Sequence, residues 1–179
     1  MFALSEIVEE KLFALKEGGR LDAFHQCFEN WQDVEYVYNF FKSRPEALLY
    51  YGVDHRTAVR LILRESEQFF DDILNIAEEE NATSLDKIIF QPLHNGDDFD
   101  LPMIETKAYG KESGRSFLRL YAIRLSDGAY IVVGGLIKTT EALPDCEEGK
   151  AMLKKLKEVA GIFRKSEMFD AFDIGILVV

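Results

Sequence analysis

Two runs rich in β-branched and aromatic residues meet at Asp127-Gly128 in the segment SFLRLYAIRLSDGAYIVVGGLIKTT, residues 116–140. Asp-Gly between two such runs is the strongest short-range signal for a β-hairpin. A two-residue loop at this point fixes which residues of the two strands face each other. We expect it to pair Ser126 with Ala129, Arg124 with Ile131, Ile123 with Val132, Tyr121 with Gly134, Arg119 with Leu136 and Phe117 with Lys138.

This register divides the hairpin into two unlike faces, because successive side chains of a strand point to opposite sides. One face is nearly all aliphatic, with Arg124 near the turn, and the long helices are expected to pack against it. The other face mixes apolar residues with Arg119, Tyr121, Tyr130 and Lys138. The sequence therefore predicts an α+β fold, in which an antiparallel twisted sheet packs against helices.

The mixed face has residue types that suit phosphate chemistry. Guanidinium and ammonium groups held by strands can clamp a phosphate, and tyrosine can stack on a base or transfer a proton. RNA supplies its own nucleophile, the 2′-hydroxyl, so cleavage of this kind requires no metal or other cofactor. In the alternative interpretation Arg119 and Lys138 pair with acids of the N-terminal helices or extend into solvent.

The charge of the chain is uneven. Its formal net charge of -11 argues against a protein whose whole surface embraces nucleic acid, since phosphate binding depends on clustered lysine and arginine. Residues 105–138 nevertheless contain six basic and three acidic side chains. A local basic patch is therefore predicted within an acidic protein.

The first half of the chain is predicted to be helical. A possible first helix ends at Gly18-Gly19, two short aromatic helices follow, and a long helix runs from Asp54 to about Glu80. The first helix rests on the helical spacing of Leu4, Val8, Leu12 and Leu15.

The second half changes period. Residues 87–93 and 104–109 are predicted strands, and residues 148–165 are a predicted amphipathic helix. The last seven residues are expected to form a short buried strand or a partner-binding tail. Taken together, the pattern predicts an all-helical extension over residues 1–53 and an α+β domain over residues 54–179.

Other classes of protein are less well supported. No segment approaches the roughly 20 apolar residues that cross a bilayer, and no secretion signal is evident, so we expect a soluble cytoplasmic protein that does not enter a membrane. Cys27 and Cys146 lie far apart without metal-site spacing. The acidic loop at Asp97, Asp98 and Asp100 lacks the calcium-loop pattern, so no metal is expected. His94 is a candidate for proton transfer if its loop folds over the sheet.

The hairpin segment also resembles a known family. The run LRLYAIRLSDGAYIVVGGLIKTTEALPD, followed by a lysine-rich helix, is similar to the C-terminal half of RelE/HigB-type toxins of bacterial toxin-antitoxin systems. Upstream, IIFQPLHNGDDFDLPMIETK resembles the approach to the family's Glu-Leu-Arg motif, and SEQFFDDILNIAEE its helical start. The resemblance covers roughly residues 65–165.

The resemblance implies a RelE-like sheet with helices and an endoribonuclease activity on messenger RNA at the ribosome. By position, Arg119 corresponds to the family's strand arginine, Lys107 to the cation of the Glu-Leu-Arg motif, and Lys138 to the first basic residue after its last strand. These three and Tyr121 are the expected catalytic residues. Tyr130, Arg115 and Arg124 are the expected substrate-binding residues.

Two partners follow from these interpretations besides RNA. An antitoxin would cover the cationic surface, and an exposed sheet edge together with the apolar C-terminus suggests a homodimer. The alternative function is a non-catalytic RelE-like scaffold that binds proteins or associates with itself.

Overall fold

The computed structural model describes residues 2–79, 84–94, 96, 99, 101–110 and 116–179. Of the residues discussed above, Arg115 and the acidic-loop residues Asp97, Asp98 and Asp100 lie outside the described residues. Among the described helices, none combines the length and apolarity needed to cross a membrane.

A single mixed sheet organises the described chain. Its order is β1-β2-β6-β5-β4-β3, and all neighbours are antiparallel except β2 and β6, which run parallel. The expectation of a wholly antiparallel sheet is therefore wrong. The strands are β1 (Ala3–Val8), β2 (Leu12–Lys16), β3 (Phe90–Pro92), β4 (Met103–Tyr109), β5 (Leu118–Leu125) and β6 (Tyr130–Ile137).

Helices cover both faces of this sheet. They are α1 (Ala23–Gln32), α2 (Val34–Lys42), α3 (Pro45–Tyr51), α4 (His55–Glu78), α5 (Glu147–Lys165) and α6 (Ala171–Ile174). One hydrophobic cluster joins α1, α2 and α4 to the sheet face that carries Leu118, Leu120 and Ala122, here called the α4 face. A second cluster joins α5 to the face that carries Tyr121, Ile123 and Leu125, here called the α5 face.

The two long helices confirm the sequence prediction closely. Asp54 caps α4, its carboxylate accepting a hydrogen bond from the Thr57 N–H. The buried face of α4 recurs at helical spacing, with Val59, Ile62, Ser66, Phe69, Ile73 and Ala77. Helix α5 begins one residue before its predicted start, and Leu156, Val159, Ala160 and Phe163 form its buried face. Helical periodicity predicts these elements well because each is apolar along one side only.

The N-terminal segment is not helical, so an all-helical extension is wrong for residues 3–16. They form β1 and β2, joined by a turn in which Glu10 has a positive φ of 57°. Strand β2 lies between β1 and β6 and is buried on both sides, with Phe13 and Leu15 facing the α5 helix and Leu12 and Ala14 facing α4. A strand that is apolar on both faces imitates a short helical stripe.

The hairpin turn is one residue longer than predicted. Leu125 and Ala129 close it, and Gly128 adopts a positive φ of 88°, which gives a three-residue loop. Arg124 therefore pairs with Tyr130 rather than Ile131, and Ile123 with Ile131. A register shift beyond Ala122 restores the predicted pairs of Tyr121 with Gly134 and Arg119 with Leu136.

Two other segments differ from their predictions in part. Residues 85–89 form a π-helical turn, and only Phe90–Pro92 of the expected strand is extended. The C-terminus is α6 followed by a 3₁₀ turn at Gly175–Leu177. Val178 forms an isolated parallel bridge with Leu4, and Ile174 is buried in the cluster under α5.

Candidate functional site on strands β4 and β5

Four side chains meet on the α5 face where β4 and β5 pair. Lys107 lies opposite Tyr121, and Tyr109 lies opposite Arg119. Cross-strand pairs of this kind hold their side chains close together on one face. We call Lys107, Tyr109, Arg119 and Tyr121 the cationic quartet.

Arg119 is half-buried and has hydrogen-bond donors left over. Its Nη1 donates to the Ser116 carbonyl at 3.1 Å, the Ser116 hydroxyl at 3.0 Å and the Leu118 carbonyl at 2.8 Å. The guanidinium also stacks on the Tyr109 ring, 4.0 Å from its centre. Burial lowers the pKa of Arg119, yet an arginine so placed stays charged at neutral pH. Within the described residues its Nε and Nη2 have no hydrogen-bond partner, and no carboxylate pairs with it.

Lys107 shares the same aromatic ring. Its Nζ lies 5.9 Å from the centre of the Tyr109 ring, which is within cation–π range. Its ammonium group makes no ion pair with any described residue. Two cations from neighbouring strands therefore flank one tyrosine, and neither forms an ion pair with a described carboxylate, which is an arrangement suited to an anion.

A histidine–carboxylate pair stands beside Lys107. Glu105 precedes Lys107 by two residues on β4 and so lies on the same face. The Glu105 carboxylate is 3.3 Å from His94 Nε2, and the His94 side chain is half exposed. A carboxylate that holds one imidazole nitrogen leaves the other available to accept a proton.

Tyr121 forms the floor of the quartet rather than its open surface. Its side chain is almost fully buried, in the cluster under α5. Burial raises the pKa of Tyr121 far above that of a free phenol, so it is poorly suited to exchange protons. Tyr109 is the half-buried tyrosine of the quartet, and sequence reasoning missed it. Its position two residues after Lys107 on a predicted strand was the available signal.

Lys138 lies just beyond the end of β6. Its N–H donates to the Phe117 carbonyl at 2.7 Å, and its own carbonyl accepts from the Tyr51 hydroxyl at 2.6 Å. Its Nζ is 5.9 Å from the centre of the Tyr50 ring of α3. Lys138 therefore contacts α3, whereas Lys107 and Arg119 contact Tyr109.

The structure separates Arg124 and Tyr130 from the quartet. Both lie on the α4 face, so the expectation that Tyr130 would share a face with Arg119 is wrong; the longer turn moves Tyr130 to the other side. Arg124 Nε and Nη2 donate to the two oxygens of Asp86 at 2.8 and 2.9 Å, and the Tyr130 hydroxyl donates to the same carboxylate. This buried group fastens the π-helical turn to the sheet.

The segment before Arg119 is held by a buried carboxylate from α4. Glu65 accepts hydrogen bonds from the Phe117 N–H at 3.0 Å, the Leu118 N–H at 3.1 Å and the Ser116 hydroxyl. Burial raises the pKa of Glu65, against the opposing effect of these hydrogen bonds. Ser116, which accepts from Arg119, is therefore fixed by a residue on the opposite face of the sheet.

A comparison with protein-family models finds no match to this chain. Comparisons with curated proteins and with solved structures also find no significant match.

Proposed function

We propose that the cationic quartet, together with His94 and Glu105, binds the phosphodiester backbone of RNA and cleaves it without a metal. One observation carries the proposal: Lys107 and Arg119 flank Tyr109 on one face and have no carboxylate partner among the described residues. In a protein with a net charge of -11, two such cations are well suited to a phosphate. The resemblance to RelE/HigB-type toxins supports the same substrate class.

The chemistry needs only groups of this face and of the RNA. The 2′-hydroxyl oxygen attacks the adjacent phosphorus, a new P–O bond forms, and the bond to the 5′-oxygen breaks. The products are a 2′,3′-cyclic phosphate and a 5′-hydroxyl, and water protonates the leaving oxygen. Lys107, which lies between His94 and Arg119 on this face, donates to the phosphorus oxygens as their negative charge grows, and Arg119 donates Nε and Nη2 to the neighbouring phosphate.

His94 is the proposed general base. With Nε2–H donated to Glu105, its Nδ1 lone pair accepts the proton of the 2′-hydroxyl. Tyr109 keeps the Arg119 guanidinium in place by stacking. Tyr121 supports this layer from below and transfers no proton in this scheme.

The biological setting that the resemblance suggests is a toxin-antitoxin pair. Messenger RNA at the ribosome is then the proposed substrate, and an antitoxin would cover the cationic quartet. A scaffold without catalysis, which binds a protein through the same face, is the competing function, and the following experiment separates them.

The test uses end-labelled RNA and the full chain in the presence of EDTA. Wild-type protein is expected to give products with 2′,3′-cyclic phosphate ends. Lys107→Met and His94→Gln should each lower the cleavage rate at least about 100-fold, which is the usual size of a lost charge donor or general base. Lys107→Met and Arg119→Met should weaken RNA binding as well, whereas His94→Gln should leave binding nearly unchanged.

Lys154→Met is the matched control for Lys107→Met, because Lys154 is an exposed lysine of α5. Loss of RNA binding in Lys107→Met and not in Lys154→Met supports the assigned face. RNA binding without cleavage would remove the catalytic part of the proposal, and a chain that neither binds nor cleaves RNA would leave the protein-binding scaffold as the function. Equal behaviour of the two lysine variants would overturn the site itself.

A further inference from the structure

The exposed ridge of α4 has its charges sorted by sign along its length. The first half of the ridge is basic, with Arg56, Arg60 and Arg64, and the second half is acidic, with Glu67, Asp71 and Glu78. At 3.6 residues per turn, these six positions lie within about a quarter of the helix circumference.

This arrangement does not stabilise α4 by itself. The positive end of a helix dipole lies at the N-terminus, so Arg56 in the first turn and Glu78 in the last turn oppose it. Arg56 and Arg60, Arg60 and Arg64, and Glu67 and Asp71 are also like-charge neighbours four residues apart, which repel each other. The pattern therefore calls for a partner outside the helix.

The surrounding chain supplies little compensation. The side chains of Arg56, Arg60, Glu67 and Asp71 form no ion pair with any described residue. All four are exposed. Their charges are thus open to a docking molecule.

We propose that α4 packs antiparallel against α4 of a second copy of this chain, about a twofold axis near the middle of the helix. In such a pair the basic half of each helix faces the acidic half of the other. Arg60 then lies opposite Asp71 of the partner subunit, and by symmetry Asp71 lies opposite Arg60 of the partner subunit. The ridge neutralises itself in this way.

Apolar contacts lie beside the ridge. A cleft of about 810 Å³ separates α2 from the basic half of α4, and Val34, Tyr38, Val59 and Leu63 line it. Val34 is 58% exposed and Tyr38 48% exposed, so apolar surface is available beside the ridge. The half-buried Phe70 and Leu74 flank the acidic half. A twofold axis perpendicular to the two antiparallel helices brings the same side of each helix together. Phe70 and Leu74 of one copy would therefore pack against the cleft of the other copy.

A second copy fits the ridge better than other occupants. An acidic protein would satisfy the arginines and leave Glu67, Asp71 and Glu78 unpaired, and RNA would be repelled by those acids. Only a surface with the same sorted charges, read in the opposite direction, complements both halves. The ridge lies on the α4 side of the sheet, away from the cationic quartet on the α5 face, so this inference does not depend on the proposed RNA cleavage.

A charge swap tests the interface by sedimentation over a wide range of concentrations. The wild-type chain is expected to dimerise. Arg60→Glu and Asp71→Arg each turn two attractive contacts per dimer into repulsive ones, so each should raise the dimer Kd at least about tenfold. An equimolar mixture of the two variants restores both attractions and should form a heterodimer with nearly the wild-type Kd, as should the homodimer of the double variant.

Lys154→Glu on α5 is the control for Arg60→Glu, because both substitutions change the net charge equally and Lys154 is an exposed residue away from the ridge. It should dimerise like the wild type, and circular dichroism should show every variant to be folded. A wild-type chain that stays monomeric, a reversal without effect, or a mixture that fails to associate would each overturn the proposal. RNA binding lost in Arg60→Glu with dimerisation intact would also overturn it.

Discussion

Strand β5 contains two arginines five residues apart, and their surroundings are opposite. Arg124 lies on the α4 face, is only 8% exposed, and binds both oxygens of Asp86 and two backbone carbonyls. Arg119 lies on the α5 face, stacks on Tyr109 and has no carboxylate partner among the described residues. An odd spacing along a strand is enough to produce this separation.

The difference shows how to tell a structural cation from one that is available to a ligand. Burial alone would lower the pKa of Arg124, but the hydrogen bonds and charge of Asp86 outweigh it and raise the pKa. For Arg119 no described carboxylate forms such bonds, and burial lowers its pKa against the weaker opposing effects of nearby tyrosines and Glu65. Arg124 is already neutralised within the fold, whereas Arg119 can still gain from an anion.

The largest expected effect comes from removing each arginine in turn. Arg124→Met leaves the buried Asp86 carboxylate without its cation and should lower the free energy of unfolding by about 3–5 kcal/mol. Arg119→Met loses three hydrogen bonds from one nitrogen and no ion pair, and should lower it by about 1 kcal/mol. Urea denaturation at neutral pH measures both.

A second change distinguishes an unpaired charge from lost packing. Adding Asp86→Leu to Arg124→Met removes the buried carboxylate, so part of the lost stability should return. Equal losses in the two single variants would contradict the assignment of Arg124 as structural and Arg119 as available.

The sequence predicts the face on which each arginine lies better than it predicts the partner of Arg124. Helical periodicity was sufficient for α4 and α5, and the alternation of β5 correctly placed Arg119 and Tyr121 on one face and Arg124 on the other. Residues 104–109 were also correctly predicted to form a strand, which the structure extends by one residue to Met103–Tyr109. Residues whose neighbours are close in sequence, or one strand away, were therefore predictable.

The errors over Arg124 and β2 arose where distant segments decide the structure, whereas the error over Tyr130 arose in the turn itself. The partner of Arg124 is Asp86, which belongs to a π-helical turn that no periodicity indicates. Tyr130 changed face because one extra residue entered the turn. Strand β2 was taken for a helix because its parallel pairing with β6, far along the chain, buries both of its faces.

Glu65 extends the comparison of Arg119 with Arg124. This carboxylate lies close to Arg119, but it accepts hydrogen bonds from backbone N–H groups instead of pairing with the guanidinium. Glu65→Ala leaves the Phe117 and Leu118 N–H groups without their acceptor and should lower the free energy of unfolding by about 3 kcal/mol.

The pKa of Glu65 is raised by burial, so the folded chain holds its proton more tightly than the unfolded chain does. The stability difference between wild type and Glu65→Ala should therefore be largest below the ordinary glutamate pKa and fall as pH rises through the raised pKa. Urea denaturation across pH measures this difference, and a difference that stays constant with pH would contradict the raised pKa of Glu65.

The adjacent glycines of β6 extend the comparison of the two faces to packing. A Cβ at Gly135 would lie 2.7 Å from Cη2 of Trp31 and 2.8 Å from the Arg119 carbonyl oxygen, neither of which can easily move. A Cβ at Gly134, on the α5 face, would meet only the flexible end of Met152 at 2.8 Å. Gly135→Ala should therefore destabilise the fold by about 2 kcal/mol and Gly134→Ala by less than about 1 kcal/mol, as judged by urea denaturation. The Arg119 carbonyl belongs to the backbone of the quartet, so Gly135→Ala should also disturb Arg119. If Gly135→Ala were as stable as Gly134→Ala, α1 would not hold this part of the sheet.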